Sequence, residues 1–181
     1  MTRLGLTPPQ TVGPFLSIAL RWDDGPLVVP LGTPGAFWLR GRVLDGDGEV
    51  VTDALVETWQ PDVDGVFCSP ADARWTGTTS TPGFRGLGRS ETVGGEWAVH
   101  TVHPGLRDGA PHLDVSVFAR GLLDRVVTRV YLPVDGAPVD DAVLAGLPPA
   151  RAATLVAAPS EDGYRFDVRL QGRDETVFFD V

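Results

Sequence analysis

His112-Leu-Asp114 is the pair with the most chemical potential in this sequence. It falls in a run that alternates apolar and polar residues, and on a strand residues two apart project from one face. A histidine and a carboxylate so placed could chelate one ion, as in a two-histidine-one-carboxylate iron site. That chemistry needs a second histidine, which oxygenases with the His-x-Asp arrangement usually carry well downstream. None follows position 112 here. His100 and His103 are three residues apart, an offset that sends them to opposite faces of a strand. The residues therefore favour two polar side chains on a strand face over a private metal site.

Other chemistries find less support. No Gly-x-Ser-x-Gly elbow is present, and Cys68 has no neighbour in sequence that would lower its thiol pKa. Asp62-Val-Asp-Gly65 resembles the start of a calcium loop, but Ala73 stands where the bidentate glutamate belongs. A tight turn is the better expectation. Gly83-Phe-Arg-Gly-Leu-Gly88 lacks the Lys-Ser/Thr of a phosphate-binding loop. By spacing alone, no self-contained active site is visible.

The elements that would position these residues are strands. Tyr164, Phe166, Val168 and Leu170 alternate with Arg165, Asp167 and Arg169; Leu113, Val115, Val117 and Ala119 alternate with His112, Asp114 and Ser116. Further strands are expected over 36–44, 54–60, 95–102, 126–132 and 175–181, with a tight turn at Asp45-Gly-Asp-Gly48. Residues 139–147 predict a short helix that stops at Pro148, and 149–157 another turn or strand. The stretch from 61 to 94 reads as a long loop, a length usually reserved for function or disorder. The expected fold is an all-β sandwich with long loops and one or two short helices.

Composition narrows the function classes. The 181 residues include 22 Gly and 16 Pro, which excludes long-helix architectures. Against 24 acidic residues stand 15 basic ones, all of them arginine, for a net charge of −9. Such a chain is repelled by a phosphate backbone, so nucleic acid is not an expected partner. A lone cysteine forms no intrachain disulfide, no apolar run is long enough for a bilayer, and no signal-peptide core is seen near Met1. A soluble cytoplasmic protein is expected, with no membrane association. It should be one domain spanning 1–181, with 1–35 as an extended N-terminal arm. Three prolines in Thr7-Pro-Pro-Gln-Thr-Val-Gly-Pro14 stiffen that arm, which either packs on its own sandwich or reaches a neighbouring surface.

Several longer stretches carry a resemblance. They are Thr7-Pro-x-Gln-Thr-Val-Gly-Pro-Phe15, Gly41-x-Val-x-Asp-Gly-x-Gly48 and Ala54-x-Val-Glu-x-Trp-Gln-x-Asp62. Gly86-x-Gly-Arg89, Thr101-x-x-Pro-Gly105, Pro111-His-Leu and Ser116-Val-Phe-Ala-Arg-Gly121 follow. Tyr164-Arg-Phe-Asp-Val-Arg-Leu-Gln-Gly172 and Glu175-Thr-Val-Phe-Phe-Asp180 complete the series. Together they resemble the intradiol ring-cleaving dioxygenases over nearly the whole chain. Phe118-Ala-Arg-Gly121 and the C-terminal ending are similar to the non-catalytic α chain of two-chain members that pair it with a homologous, iron-carrying β chain.

The resemblance implies that catalytic members hold Fe(III) with two tyrosines and two histidines. Carried over, His112 falls on the first histidine and Asp114 on the second, Arg107 on the second tyrosine. The first tyrosine falls near Arg74, Trp75 and Thr76; Tyr131 and Tyr164 lie elsewhere. A guanidinium in place of a phenolate repels Fe³⁺. The expectation is thus no catalytic residue and no metal ligand in this chain, with Fe(III) bound only by the β partner. Implied substrates are protocatechuate and O₂, and the implied product is 3-carboxy-cis,cis-muconate, in aromatic catabolism by the β-ketoadipate route. The implied substrate-binding residues are Thr11, Gly13, Pro14 and Phe15 of the arm, lining the partner's pocket, with Arg129. Two alternatives stay open: a sandwich module that kept the fold and lost the enzyme, and a divergent mononuclear metalloenzyme using His112 and Asp114.

Overall fold

In this computed structural model, which describes residues 6–107, 109–134 and 139–180, ten short strands and three short helices follow one another. The first five residues of the arm and Val181 lie outside the described residues. A helical turn α1 (Leu16–Leu20) precedes β1 (Phe37–Gly41), β2 (Val43–Leu44), β3 (Leu55–Trp59), β4 (Leu87–Glu91) and β5 (Trp97–Thr101). Then come β6 (His112–Phe118), β7 (Val126–Tyr131), α2 (Ala142–Ala145), α3 (Pro149–Ala153), β8 (Ala158–Ser160), β9 (Gly163–Arg165) and β10 (Val168–Arg169).

Two four-stranded sheets face each other, in the orders β5-β1-β9-β8 and β4-β3-β6-β7, and β10 pairs with β2. β6 shows why they stack: its odd positions Leu113, Val115 and Val117 are fully buried while the even ones are half-exposed. Those valines meet Leu39, Trp97 and Val99 of the other sheet across one core. A smaller cluster of Tyr131, Leu144, Leu155 and Ala110 packs under α2 and α3. Among the described residues, no helix is long and apolar enough to cross a membrane.

The strands expected over 54–60, 95–102, 112–119 and 126–132 are all present, trimmed by a residue or two. Other expectations need correction. Residues 36–44 form two strands, β1 and β2, which join different sheets. Residues 164–170 form two strands rather than one. The Asp167 carboxylate takes the Arg42 backbone N–H at 2.9 Å, where the parallel ladder would otherwise run on. Of the strand expected over 175–181, the described residues 175–180 form only a bridge: Phe179 pairs with Val127, and the Thr176 hydroxyl accepts the Arg169 N–H that a ladder would use. The stretch 61–94 is not all loop, since it contains β4. Gly88 of that strand hid it, because the strand packs through a missing side chain: a Cβ there would press on Thr58, Val28 and Val99.

The helix expected over 139–147 is α2, capped by the Asp141 carboxylate, which accepts the Val143 N–H. Over 149–157 the turn is α3, with Pro149 at its first position. The arm is not extended throughout. A turn closes where the Gly13 carbonyl accepts the Leu16 N–H at 3.2 Å, and α1 follows.

Gly41 fixes how closely the C-terminal strands approach β1. The Phe166 carbonyl oxygen lies where a Cβ would sit, and the Trp97 indole closes the other side. Gly41→Ala should therefore cost about 3 kcal/mol, which for a domain of this size lowers Tm by roughly 6–12 °C. Gly94→Ala, whose Cβ would meet nothing within 4 Å, should melt within about a degree or two of wild type. Calorimetric melting of both variants checks this.

Candidate functional site

A cleft of about 180 Å³ opens on the outer face of the β4-β3-β6-β7 sheet. Antiparallel register sets its floor: Asp114 lies directly opposite both Trp59 and Arg129, and His112 opposite Tyr131. Cross-strand partners share a face, so these side chains point together away from the main core, with Tyr131 buried in the smaller cluster under α2 and α3. Two loops form the rim. One follows β3 and brings Pro61 and Phe67; the other follows β5 and brings Gly105, Arg107, Ala110 and Pro111.

Each loop is held by polar side chains. Asp62 folds the first into a tight turn, its carboxylate accepting the N–H groups of Asp64 and Val66 at 3.0 and 2.9 Å. The turn expected in place of a calcium loop is thus what forms. The buried Gln60 amide donates to the Val102 carbonyl and accepts the Thr101 hydroxyl, stitching the ends of β3 and β5 together. Asp72 joins the two rims: its carboxylate accepts the N–H groups of Phe67 and Arg74 and pairs with the Arg107 guanidinium. Those backbone donors, Arg74's first, hold the Asp72 carboxyl below the usual range, with Arg107 adding to them and burial opposing. Arg74 and Arg107 both also reach the Gly65 carbonyl. Trp59 stacks on Phe67 with ring centroids 5.6 Å apart, and the Arg107 guanidinium lies over the same Phe67 ring at 5.1 Å.

His112 and Asp114 do share a face, as their spacing requires. Their nearest atoms, Nε2 and Oδ1, are 3.7 Å apart, beyond hydrogen-bond range. His112 Nδ1 lies 2.8 Å from the Ala110 carbonyl, which can only accept, so Nδ1 carries the hydrogen. Arg129 lines the same cleft, with Nε 3.3 Å from Asp114 Oδ1 and its guanidinium over the Phe179 ring. Burial works to lower the Arg129 pKa, but Tyr131 and Asp114 outweigh it and raise it. The Tyr131 phenol is buried and donates to Asp141 at 3.0 Å. Tyr164 donates to the Pro133 carbonyl at 2.8 Å, far from the cleft in sequence and sheet. His100 sits against the Val29 carbonyl and Trp38, His103 between Phe37 and Tyr164, so neither joins His112. Burial, and after it Asp62, push the Cys68 thiol up, away from the thiolate form that a nucleophile needs.

This donor set does not suit a ferric ion. One imidazole and one carboxylate share the cleft with two guanidinium groups. Among the described residues, no three His, Cys, Asp or Glu side chains are grouped to hold a metal.

The arm residues lie elsewhere. The Thr11 hydroxyl accepts the Gly121 N–H at 2.8 Å, in the β6–β7 turn. His112 is at the other end of β6, roughly 20 Å away at about 3.4 Å per strand residue. Thr11, Gly13, Pro14 and Phe15 are exposed, and a Cβ on Gly13 would meet nothing within 4 Å. So this chain brings Arg129 to its own cleft and sends the other four expected site residues outward. Asp72, Gln60 and Asp141, which hold the rims, are absent from the sequence expectations. Only Asp141 had a signal, as the acidic start of a helix ended by proline.

The chain is 42% identical over 199 aligned positions to the protocatechuate 3,4-dioxygenase alpha chain of Burkholderia cepacia, covering all of both chains. To the alpha chain of Pseudomonas putida it is 35% identical, covering 96% of each. It belongs to the family of protocatechuate 3,4-dioxygenase alpha chains. The Burkholderia cepacia beta chain is 32% identical over 155 positions, covering 76% of this chain and 65% of that one. No family model matches. Among solved structures, an intradiol ring-cleavage dioxygenase from Tetranychus urticae superposes with a TM-score of 0.60 at 14% identity, covering 92% and 94% of the two chains. The dioxygenase domain of a Streptomyces carbohydrate-binding fusion gives 0.56 at 23%, covering 92% and 98%. These show the expected intradiol dioxygenase sandwich.

The depressed Asp72 carboxyl gives its loops a pH dependence with a definite sign. Its contribution is fully present above the ordinary carboxylate pKa of about 4 and is lost as pH falls through its lower folded value. Near-ultraviolet dichroism of the Trp59–Phe67 stack should hold down to about pH 4 and fade below. Asp72→Asn should show a weakened signal already at neutral pH and a Tm a few degrees lower. A wild-type signal in that variant would mean Asp72 does not hold the rims.

Proposed function

We propose that this chain is the iron-free α subunit of a protocatechuate 3,4-dioxygenase, working in a complex with a homologous β subunit in the cytoplasm. The observation that carries this reading is the 42% identity to an α chain across the full length of both proteins. The donor set of the cleft supports the same conclusion, since guanidinium groups stand where phenolates would be needed. The ferric ion of the β subunit supplies chelation of the catechol and the activation toward O₂ that ring cleavage to 3-carboxy-cis,cis-muconate requires.

This chain's own share is positioning. It acts as one domain, 1–181, with residues 1–35 as the arm. Leu6, Phe15 and Ile18 are 99%, 73% and 65% exposed, an apolar row along that arm that fits burial against a partner rather than water. Thr11 anchors the arm to the Gly121 turn, so the segment beyond it projects from a fixed point. Gly13, Pro14 and Phe15 then form one wall of the β-chain pocket. Gly13 lets backbone approach a flat ring, and Pro14 presents an apolar face with no N–H to desolvate. Arg129 stands apart from the arm, in this chain's own cleft, where its guanidinium adds local positive charge that favours approach of the anionic substrate to a chain of net charge −9.

Two measurements test the reading. The purified chain alone should be colourless, without stoichiometric iron, and should self-associate; a visible tyrosinate-to-iron band would sink the assignment. In the co-purified complex, Gly13→Val should raise KM for protocatechuate about tenfold, with iron content unchanged. Since added atoms at Gly13 meet nothing in this chain, the variant's subunit should melt as wild type. A wild-type KM in steady-state oxygen uptake would place the arm outside the pocket.

A further inference from the structure

We propose that the cleft of this chain is itself a ligand site, taking one hydroxy-substituted aromatic carboxylate that is bound and not turned over. The inference rests on the cleft alone, and oxygen uptake, the readout of the α-subunit assignment, does not enter it.

Three observations define the occupant. The first is size. At about 180 Å³ the cleft is slightly larger than a cavity of about 150 Å³ that accepts a benzene ring, so it holds one ring with small substituents and not two. The second is the wall. Pro61, Phe67, Ala110 and Pro111 supply apolar surface, and Phe67 is braced from behind by the stacked Trp59. A flat ring fits such a wall, with polar groups confined to its edges.

The third observation is the arrangement of polar atoms. His112 gives its Nδ1 hydrogen to the Ala110 carbonyl, so in its uncharged form Nε2 is an acceptor. Asp114 Oδ1 is a second acceptor 3.7 Å from it. That separation is too long for a direct hydrogen bond and leaves room for a donor from outside, and a phenolic hydroxyl is one. Arg107 and Arg129 line the same cleft. Asp72 and Asp114 balance their charges, so the cleft is not a general sink for anions. A carboxylate on the ring can join these existing pairs, because a guanidinium has five donors. A molecule with a hydroxyl at one edge and a carboxylate at another satisfies both features; a simple inorganic anion satisfies one.

The probe is 4-hydroxybenzoate, whose single hydroxyl cannot form the catechol chelate that ring cleavage needs. It is titrated by calorimetry into the full chain co-expressed with its β subunit, with benzoate and inorganic phosphate as the comparison ligands. His112→Leu removes the hydroxyl acceptor, and His112→Gln keeps an oxygen that can accept; melting curves verify folding of both. The expected result is one equivalent of 4-hydroxybenzoate per copy of this chain that His112→Leu weakens at least tenfold and His112→Gln largely retains. Benzoate should bind that site about tenfold more weakly, with no further loss in His112→Leu. Phosphate should not compete. Wild-type stoichiometry and affinity in His112→Leu would overturn the proposal, as would equal competition by phosphate.

Discussion

Everything around the cleft depends on one buried carboxylate. Asp72 is shielded from water, yet it stays ionised because two backbone N–H groups and the Arg107 guanidinium surround it. Removing any one of these donors would leave a charge in a poorly hydrated place, which costs more than the bond itself gains. The loops after β3 and β5 are therefore not independent: both end on the same oxygen atoms. Gly105 strengthens this by touching Gly65 so closely that no side chain fits between. The result is a rigid rim built from sequence that is almost all turn.

That rim also explains how the cleft tolerates guanidinium groups in place of phenolates. The positions that the family resemblance assigns to phenolates carry Arg107 and, nearby, Arg74. Two positive charges there would repel one another unless an anion lay between them, and Asp72 is that anion. The substitution and the compensating carboxylate form one unit, so the cleft keeps its shape.

Much of the sheet framework was legible in the sequence, for a simple reason. Strands such as β6 bury alternate residues, and alternation is visible in one dimension. β4 escaped because Gly88 packs by absence, which leaves no apolar mark. The end of the chain misled in the opposite sense: Val177 and Phe179 look like a strand, but their polar neighbours divert the backbone hydrogen bonds to side chains. At the site, the shared face of His112 and Asp114 followed from spacing. Spacing separated His100 from His103, but that neither joins His112 is a fact of the folded sheets. What no local pattern encodes is convergence in space, so Asp72 and Gln60 went unseen although they hold the rims. Arg129 was assigned to a pocket from resemblance, and its pairing with Asp114 is a fact of register that only the folded sheet supplies.

The parallel pairing of β1 and β2 with β9 and β10 has a consequence for biosynthesis. The first strands leave the ribosome early, but the segment that lies beside them is among the last to be made. Until then β1 has only β5 at its side, and the row of backbone groups that β9 will cover stays open. Contacts so distant along the chain close slowly and leave sticky edges exposed meanwhile. The N-terminal arm, already synthesised, waits next to an unfinished sheet. Its Thr11 anchor lies in the β6–β7 turn, which forms before the last strands arrive. Docking of the arm on the β6–β7 turn is thus separable in time from closure of the sandwich.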